Sequence, residues 1–340
     1  MEVKLISELY SRVTNPVSTV YVVPLIRYDF KKTDYLYLFY KGLIEGSSDI
    51  KLKDLSVFAH IRMVFGALLN QNTILHYHWL EFQDMKSLLG MPYKLLCIAL
   101  YKLLGGHIVW TIHNLTPHDK RFLSLHRSIH QWMAKKASVL HVHSGSVVER
   151  VSDFLDVDES KCIVLAHPEF PSVTVSKKEA IERFSKNYSI GTERFKTPTF
   201  LIFGGLSAYK GIEEIAKILN GETSPFALLI AGPFKKGQGV LEDKLTKMAE
   251  TDERIILIPA FIPEEDYPLL FSASDICVFN YDDILTSGGI EMALAYKKQI
   301  IAPYKGSLSD YEGLSNVSLF NSPGELKELI SHFLKVGADG

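Results

Sequence analysis

Asp275-Ile276-Cys277-Val278-Phe279-Asn280 reads as an apolar strand. It leads through Asp282-Asp283-Ile284-Leu285-Thr286-Ser287-Gly288-Gly289 into a helix, Ile290-Glu291-Met292-Ala293-Leu294-Ala295. A glycine-bearing turn between a buried strand and a helix presents backbone N–H groups at the positive end of the helix, where an anion such as phosphate is stabilised. Glu291 stands about one turn inside that helix. A carboxylate repels phosphate but accepts hydrogen bonds from sugar or ribose hydroxyls, so the pair suits a phosphorylated sugar compound. An ordinary connection with a solvent-facing Glu is the plainer alternative.

The strand–turn–helix unit recurs on both sides. In the second half, strands are expected at 199–204, 226–231, 254–258, 275–280 and 299–302, and helices at 211–220, 239–250, 264–273, 288–296 and 323–335. In the first half, strands are expected at 2–9, 18–25, 73–79, 107–112, 138–142 and 162–165, and helices near 55–70, 91–104 and 122–136. Residues 172–197 read as polar and exposed. Strands alternating with helices imply right-handed βαβ units and parallel sheets. The expected fold is α/β: two doubly wound, Rossmann-like domains, 1–170 and 171–340, facing a cleft. Pro168 and Pro171 mark a hinge near 168–175. Ligands of such sheets bind beyond the C-terminal ends of the strands.

A chain of 340 residues fits two domains of ordinary size, and 47% hydrophobic with 22% charged residues describes a packed globular protein. Net charge of −2 argues against nucleic acid as the main partner. Residues 1–170 carry 19 basic against 16 acidic side chains and eleven of twelve histidines; residues 171–340 carry 18 against 23. The first half is the better place for an anionic surface. Cys97, Cys162 and Cys277 are far apart in apolar surroundings, as buried thiols of a reducing compartment would be. Neither a signal peptide nor an apolar run of membrane-spanning length is visible, so the expectation is a cytoplasmic protein. The apolar helix 91–104, with Lys94 and Lys102 beside Tyr93 and Tyr101, fits either the core or a membrane interface. Arg121, Arg127, Lys135 and Lys136 add positive charge nearby. Peripheral contact with the inner membrane surface is therefore expected.

Several loops carry chemistry. Phe203-Gly204-Gly205-Leu206-Ser207-Ala208-Tyr209-Lys210-Gly211 follows a strand and opens a helix, placing Lys210 where a diphosphate would sit. Ala231-Gly232-Pro233 is a second strand-to-turn stop. His113 and Asn114 end another strand, and a histidine there can meet a sugar hydroxyl or developing charge. His76 and His78 are read as pointing to opposite faces, so His78 alone is assigned to the ligand side. A His-X-His pair suggests a metal, but no further ligand stands at diagnostic spacing, and no metal or other cofactor is expected.

Together these motifs resemble the retaining glycosyltransferases of family 4, which have the GT-B fold. The resemblance covers most of the chain. Phe203-Gly204, Tyr209-Lys210-Gly211, Ile230-Ala231-Gly232, Ala273-Ser274-Asp275-Ile276 and Leu285-Thr286-Ser287-Gly288-Gly289-Ile290-Glu291 occur in the family's order. His76-Tyr77-His78-Trp79, Trp110-Thr111-Ile112-His113-Asn114 and Val142-His143-Ser144 look like members that build bacterial surface polysaccharides. The resemblance implies that Lys210 contacts the donor diphosphate, Glu291 the ribose, the backbone of Leu285, Thr286 and Ser287 the phosphate, and His113 the donor sugar. It departs in three places. Asp283 stands where the family has a first Glu, Ser207 where it has a base, and Asn15-Pro16 where it has a glycine-rich acceptor loop.

The implied activity is transfer of a hexose from a nucleotide sugar to a glycan or lipid-linked acceptor, without a metal. His113, Lys210 and Asp283 are the expected catalytic residues. Gly204, Gly205, Lys210, Gly232, Leu285, Thr286, Ser287 and Glu291 would bind the donor, and Asn15, His78 and Asn114 the acceptor. An inverting transferase, a nucleotide-sugar epimerase and a degenerate, non-catalytic binding subunit are the competing readings.

Overall fold

The computed structural model describes residues 3–69, 72–80, 88–117 and 122–338. It divides into two compact units, Met1–Pro168 and Glu169–Gly340, against 170/171 from the sequence.

The first unit opens with α1 (Val3–Ser11), a helix where the sequence reads as a strand. Its buried Ile6, Leu9 and Tyr10 have the i, i+3, i+4 spacing of one helix face. The strand β1 (Thr19–Val23) is buried throughout. The Tyr- and Leu-rich segment that follows is α2 (Tyr35–Glu45), started by Asp34, whose carboxylate accepts the Tyr37 N–H at 2.8 Å. Then come β2 (Lys51–Asp54), a short turn of helix (Phe58–His60), α3 (Ile61–Leu69), β3 (Thr73–Tyr77) and α4 (Met91–Leu103). Gly105, with φ of 85°, takes the left-handed conformation that stops α4. The unit continues with β4 (His107–Thr111), α5 (Leu123–Lys136), β5 (Val139–Val142), α6 (Val148–Leu155) and β6 (Cys162–Val164). Its sheet is parallel, in the order β2-β1-β3-β4-β5-β6. The winding direction reverses between β1 and β3, so the exits of those strands flank a natural ligand position.

In the second unit, α7 (Lys177–Tyr188) occupies the stretch read as polar and exposed. It is amphipathic: Ala180 and Phe184 are buried while its charged residues face water. There follow β7 (Thr199–Phe203), α8 (Ile212–Asn220), β8 (Ala227–Ala231), α9 (Gly239–Thr251), β9 (Ile255–Ile258), α10 (Tyr267–Ser272), β10 (Ile276–Val278) and α11 (Gly288–Ala295). The chain closes with β11 (Gln299–Pro303), β12 (Val317–Phe320) and α12 (Pro323–Ala338). This sheet is also parallel, in the order β12-β11-β10-β7-β8-β9, and its winding reverses between β7 and β10. Strands covered on both faces need near-continuous apolar sequence, and Phe200, Leu228, Ile230 and Ile255 share one core with Phe226, Leu245 and Ile330. Each such side chain contributes roughly 1.5–3 kcal/mol by leaving water. The edge strands β2 and β12 are short and only partly buried, which is why they carry no clear apolar run in the sequence.

Among the described residues, no helix is long and apolar enough to cross a membrane.

Candidate functional site

In the second unit, the loops leaving β7, β8 and β10 meet at the reversal point of the sheet. The β7 loop begins at Gly204 and ends in a helical turn, Ala208–Lys210. Lys210 folds back so that its Nζ donates to the Phe203 carbonyl at 3.0 Å. A Cβ built at Gly204 would lie 3.5 Å from that Nζ, so the ammonium stands directly over the glycine. Burial, with a smaller contribution from the Lys235 charge, pushes the Lys210 pKa down to about 8. Among the described residues no carboxylate pairs with this ammonium, so it is poised to gain from an incoming anion.

Lys235, which none of the sequence motifs includes, stands beside the same glycines. It follows the Gly232-Pro233 turn, and its N–H donates to the Leu206 carbonyl at 2.9 Å. Its Cε would be 3.0 Å from a Cβ at Gly205, and its Nζ lies 5.6 Å from the Tyr209 ring centre. Two lysines thus flank Gly204-Gly205, and Lys235 supplies a second cation where Ser207 offers none. The run Phe234-Lys235-Lys236-Gly237 beside a strand-exit turn was the available signal. Gly232 is what lets the two loops touch: with φ of 145°, a Cβ there would sit 2.1 Å from the Gly204 carbonyl oxygen.

The β10 loop closes the other side. Asp282 N–H donates to the Tyr209 carbonyl at 2.9 Å, and the Tyr209 and Tyr281 rings stack at 6.0 Å. Ile284 and Leu285 are buried, and the Leu285 carbonyl accepts from Ser307 N–H at 3.0 Å, so the turn is anchored from below. Ser287 caps α11 by accepting the Ile290 N–H at 3.3 Å and also meets the Tyr281 hydroxyl at 3.0 Å. Its hydroxyl is therefore committed to the protein, leaving the backbone of this first turn to face an anion. Thr286 is half-buried and Asp283 is exposed. Glu291, one turn along α11, accepts a hydrogen bond from the Tyr311 hydroxyl. Burial raises the Glu291 carboxyl, and the Tyr311 hydrogen bond partly offsets this. Tyr311, in the helical turn Gly306–Tyr311 after β11, is another residue without a sequence signal. The arrangement combines two cations, a helix N-terminus and an oriented carboxylate, which suits a diphosphate joined to a diol.

In the first unit, the C-terminal ends of β3, β4 and β5 carry a histidine cluster. His76 and His78 do not point to opposite faces, as the sequence analysis had it. Residues two apart share a strand face, and these rings stack at 4.3 Å. His78 is 1% exposed and both ring nitrogens are engaged, by Tyr40 at 2.9 Å and His113 at 3.3 Å. It therefore supports His113 and does not itself present a nitrogen to an acceptor. His113 stacks on Trp79 at 4.2 Å, with the Tyr35 ring edge-on at 4.8 Å. Desolvation holds His76, His78, His113 and His143 neutral, with pKa values well below the ordinary imidazole value. Asn114 is half-buried beside His113. Asn15 is exposed and precedes β1, at the opposite end of the parallel sheet, so it is not brought together with His78 and Asn114. Among the described residues, no group of three His, Cys, Asp or Glu side chains is arranged to hold a metal ion.

The fold is GT-B, the architecture of a large class of nucleotide-sugar glycosyltransferases. Over 249 residues the chain is 25% identical to GDP-mannose:glycolipid 4-beta-D-mannosyltransferase of Xanthomonas campestris pv. campestris, covering 71% of this chain and 64% of that protein. The chain thus spans about 64% of the length of the curated relatives it matches. No protein-family model matches it. Among solved structures it is similar to Anabaena HepE in complex with UDP and glucose, with a TM-score of 0.64 at 14% identity, over 94% of this chain and 89% of that one. It is likewise similar to the UDP-forming α,α-trehalose-phosphate synthase of Burkholderia vietnamiensis, with a TM-score of 0.62 at 10% identity, over 94% and 90%. Likeness at such identities speaks for the fold alone.

Proposed function

We propose that this chain is a glycosyltransferase that moves a hexose from a nucleotide sugar to a glycan or lipid-linked acceptor. The observation that carries the reading is the convergence of Lys210, Lys235, the α11 N-terminus and the Tyr311-held Glu291 at the β7/β10 reversal point. The lysines and the backbone at 285–289 bind the diphosphate and stabilise the charge that develops as it leaves. This is preorganised electrostatic catalysis, and it assigns the role of the cation to side chains. Glu291 accepts from the ribose hydroxyls. Gly204, Gly205 and Gly232 form the close-fitting floor. Asp283 extends from the same loop toward the sugar, and His113 and Asn114 serve the first unit's side of the reaction.

The family resemblance points to retention of configuration, with the departing phosphate oxygen taking the acceptor proton. A second reading, inversion, is favoured by the relatives' printed β-mannosyl product. A β product formed from an α-linked nucleotide sugar changes configuration at C1 and requires a base. The GDP-mannose in those names and the UDP in the solved structures frame the choice of donor.

An acceptor carried on a lipid fits the outer surface of α3 and α4. Phe65, Leu68 and Leu69 on α3, with Phe58 just before it, are exposed, as are Leu96, Leu100 and Leu103 on the adjacent α4. The spacing puts each set on one outward stripe, while Met63, Ala67, Cys97 and Tyr101 face the core. Such a surface suits a peripheral protein on the cytoplasmic membrane face. Arg127, Lys135 and Lys136 lie on α5; Arg121 lies outside the described residues.

The test is transfer from UDP-, GDP- and ADP-hexoses to polyprenyl-linked acceptors, with the anomeric configuration read by NMR. Transfer by the wild type that is lost in Lys210→Ala supports the reading; transfer unaffected by Lys210→Ala removes the site assignment.

A further inference from the structure

The histidine cluster has a proton order that can be traced atom by atom. His141 Nε2 lies 2.9 Å from the Leu165 carbonyl oxygen, which can only accept, so Nε2 carries the hydrogen. Burial pushes the His141 pKa down to about 4, so the ring is neutral at pH 7 and its Nδ1 is a lone pair. Thr111 Oγ1, 2.8 Å away, must donate to it. That spends the only Thr111 proton, so His76 Nε2, at 2.8 Å, donates to Thr111. His76 Nδ1 is then an acceptor, and two phenols reach it: Tyr40 at 2.6 Å and Tyr10 at 2.8 Å. One lone pair takes one proton, and the shorter contact selects Tyr40. The Tyr40 oxygen then accepts from His78 Nε2 at 2.9 Å, and His78 Nδ1 accepts from His113 Nε2 at 3.3 Å. The series ends with a lone pair on His113 Nδ1, to which no described residue donates.

We propose that His113 Nδ1 is the atom that takes the proton of the acceptor hydroxyl, and that Thr111, His76, Tyr40 and His78 are positioning residues that fix its tautomer from the Leu165 carbonyl. The proposal rests on the glycosyl-transfer reading in its inverting form. The hydroxyl oxygen bonds to C1 of the donor sugar. The bond from C1 to the diphosphate oxygen breaks, its electron pair leaves with the nucleoside diphosphate, and the hydroxyl proton goes to Nδ1. The resulting charge need not stay on His113. Shifting Nε2–H to His78, the His78 Nε2–H to Tyr40 and the Tyr40 proton to His76 carries it along the series.

The other groups facing the cluster are Tyr35 and His143, paired at 3.0 Å, with His143 Nδ1 donating to the same Leu165 carbonyl at 3.1 Å, and His167, which donates to the Pro168 carbonyl at 2.8 Å. Among the described residues, no carboxylate or ammonium hydrogen-bonds His76, His78, His113, His141 or His143. Tyr35 also hydrogen-bonds Thr111, but its proton is spent on His143 Nε2, so it can only accept there; among the described residues, Tyr10 is the donor that competes for His76 Nδ1. If it takes the His76 lone pair, Tyr40 turns to His78 and the hydrogen moves to His113 Nδ1.

Nitrogen-15 NMR of the histidine-labelled full chain reads the tautomers directly. The expected result is a bare Nδ1 and a protonated Nε2 on His113, kept in Tyr10→Phe and Thr111→Ser and lost in Thr111→Val and Tyr40→Phe. A hydrogen on Nδ1 in the wild type, or a tautomer that neither Thr111→Val nor Tyr40→Phe moves, overturns the proposal. In transfer assays His113→Gln is expected to lose about 10²-fold or more, the usual range for removing a general base, while nucleotide-sugar binding persists. Unchanged transfer overturns the base role. A retained product configuration assigns the hydroxyl proton to the leaving phosphate and overturns it equally. A wild-type chain that binds no nucleotide sugar contradicts the glycosyl-transfer reading instead, and the tautomer readout stands apart from it.

Discussion

Lys235 lies beside Lys210, the two side chains covering Gly205 and Gly204 in turn, and the charge of Lys235 helps lower the Lys210 pKa. Two ammonium groups held this close repel one another until an anion arrives. On the proposed reading the pair serves binding, since like charges this close oppose folding of the empty protein.

Lys235→Ala is expected to weaken nucleoside-diphosphate binding roughly 10- to 100-fold, the worth of one charge-assisted hydrogen bond of about 1.5–3 kcal/mol. Lys235→Arg should keep most of the affinity. Titration calorimetry with the nucleoside diphosphate checks both; equal affinity in wild type and Lys235→Ala would place the second cation elsewhere.

The pH dependence follows from Lys210. On the proposed reading its charged form binds the diphosphate, and in the empty site that form gives way as pH rises through about 8. Affinity should therefore hold below pH 8 and fall above it, with a ligand-bound pKa shifted back upward because the anion favours the ammonium. Binding measured between pH 7 and 9.5 tests this, and a flat profile would show that Lys210 does not meet the anion.

Acid should strike the first unit. His141 and His167 are neutral in the folded protein with pKa values down near 4, against about 6.5 when unfolded. A group whose folded pKa is depressed contributes stability above its unfolded pKa and loses it as pH falls. Between pH 6.5 and 4 each such histidine costs about 1.4 kcal/mol per pH unit. His76, His78, His113 and His143, also lowered well below the ordinary imidazole value by burial, add to the loss as pH falls. Hydrogen exchange at pH 7 and pH 4.5 should show residues 73–77, 107–111 and 139–142 losing protection before the second unit's strands do.

The apolar stripe on α3 and α4 predicts a separation of membrane binding from stability. Leu69 and Leu103 are 86% and 81% exposed, so Leu69→Glu with Leu103→Glu should leave the melting temperature nearly unchanged. Flotation with vesicles containing anionic lipid should drop several-fold in the double variant. Full retention on vesicles would assign this surface to something other than lipid.

Much of the fold was legible because buried parallel strands write themselves as apolar runs closed by glycine or proline, as at 199–203 and 227–231. Lys210, Ser287 and Glu291 were legible for the same reason, since each has a fixed offset from such a strand. Tyr311 and Lys235 were not, because they reach the site from neighbouring loops and no local periodicity marks them. The helix at 3–11 was lost because a short run containing Val and Ile satisfies both periods, and only burial of Ile6, Leu9 and Tyr10 decides between them. The histidine pair is the reverse of the sequence expectation because residues two apart share a strand face, so His76 and His78 belong to one network.

The most direct test of the account is calorimetric titration of UDP- and GDP-hexoses into the wild type, Lys210→Ala and Glu291→Ala, each confirmed folded by circular dichroism. The account predicts binding of at least one nucleotide sugar by the wild type and a loss of roughly 10-fold or more in each variant. Equal affinity in all three proteins, or no binding of any nucleotide sugar by the wild type, would contradict it.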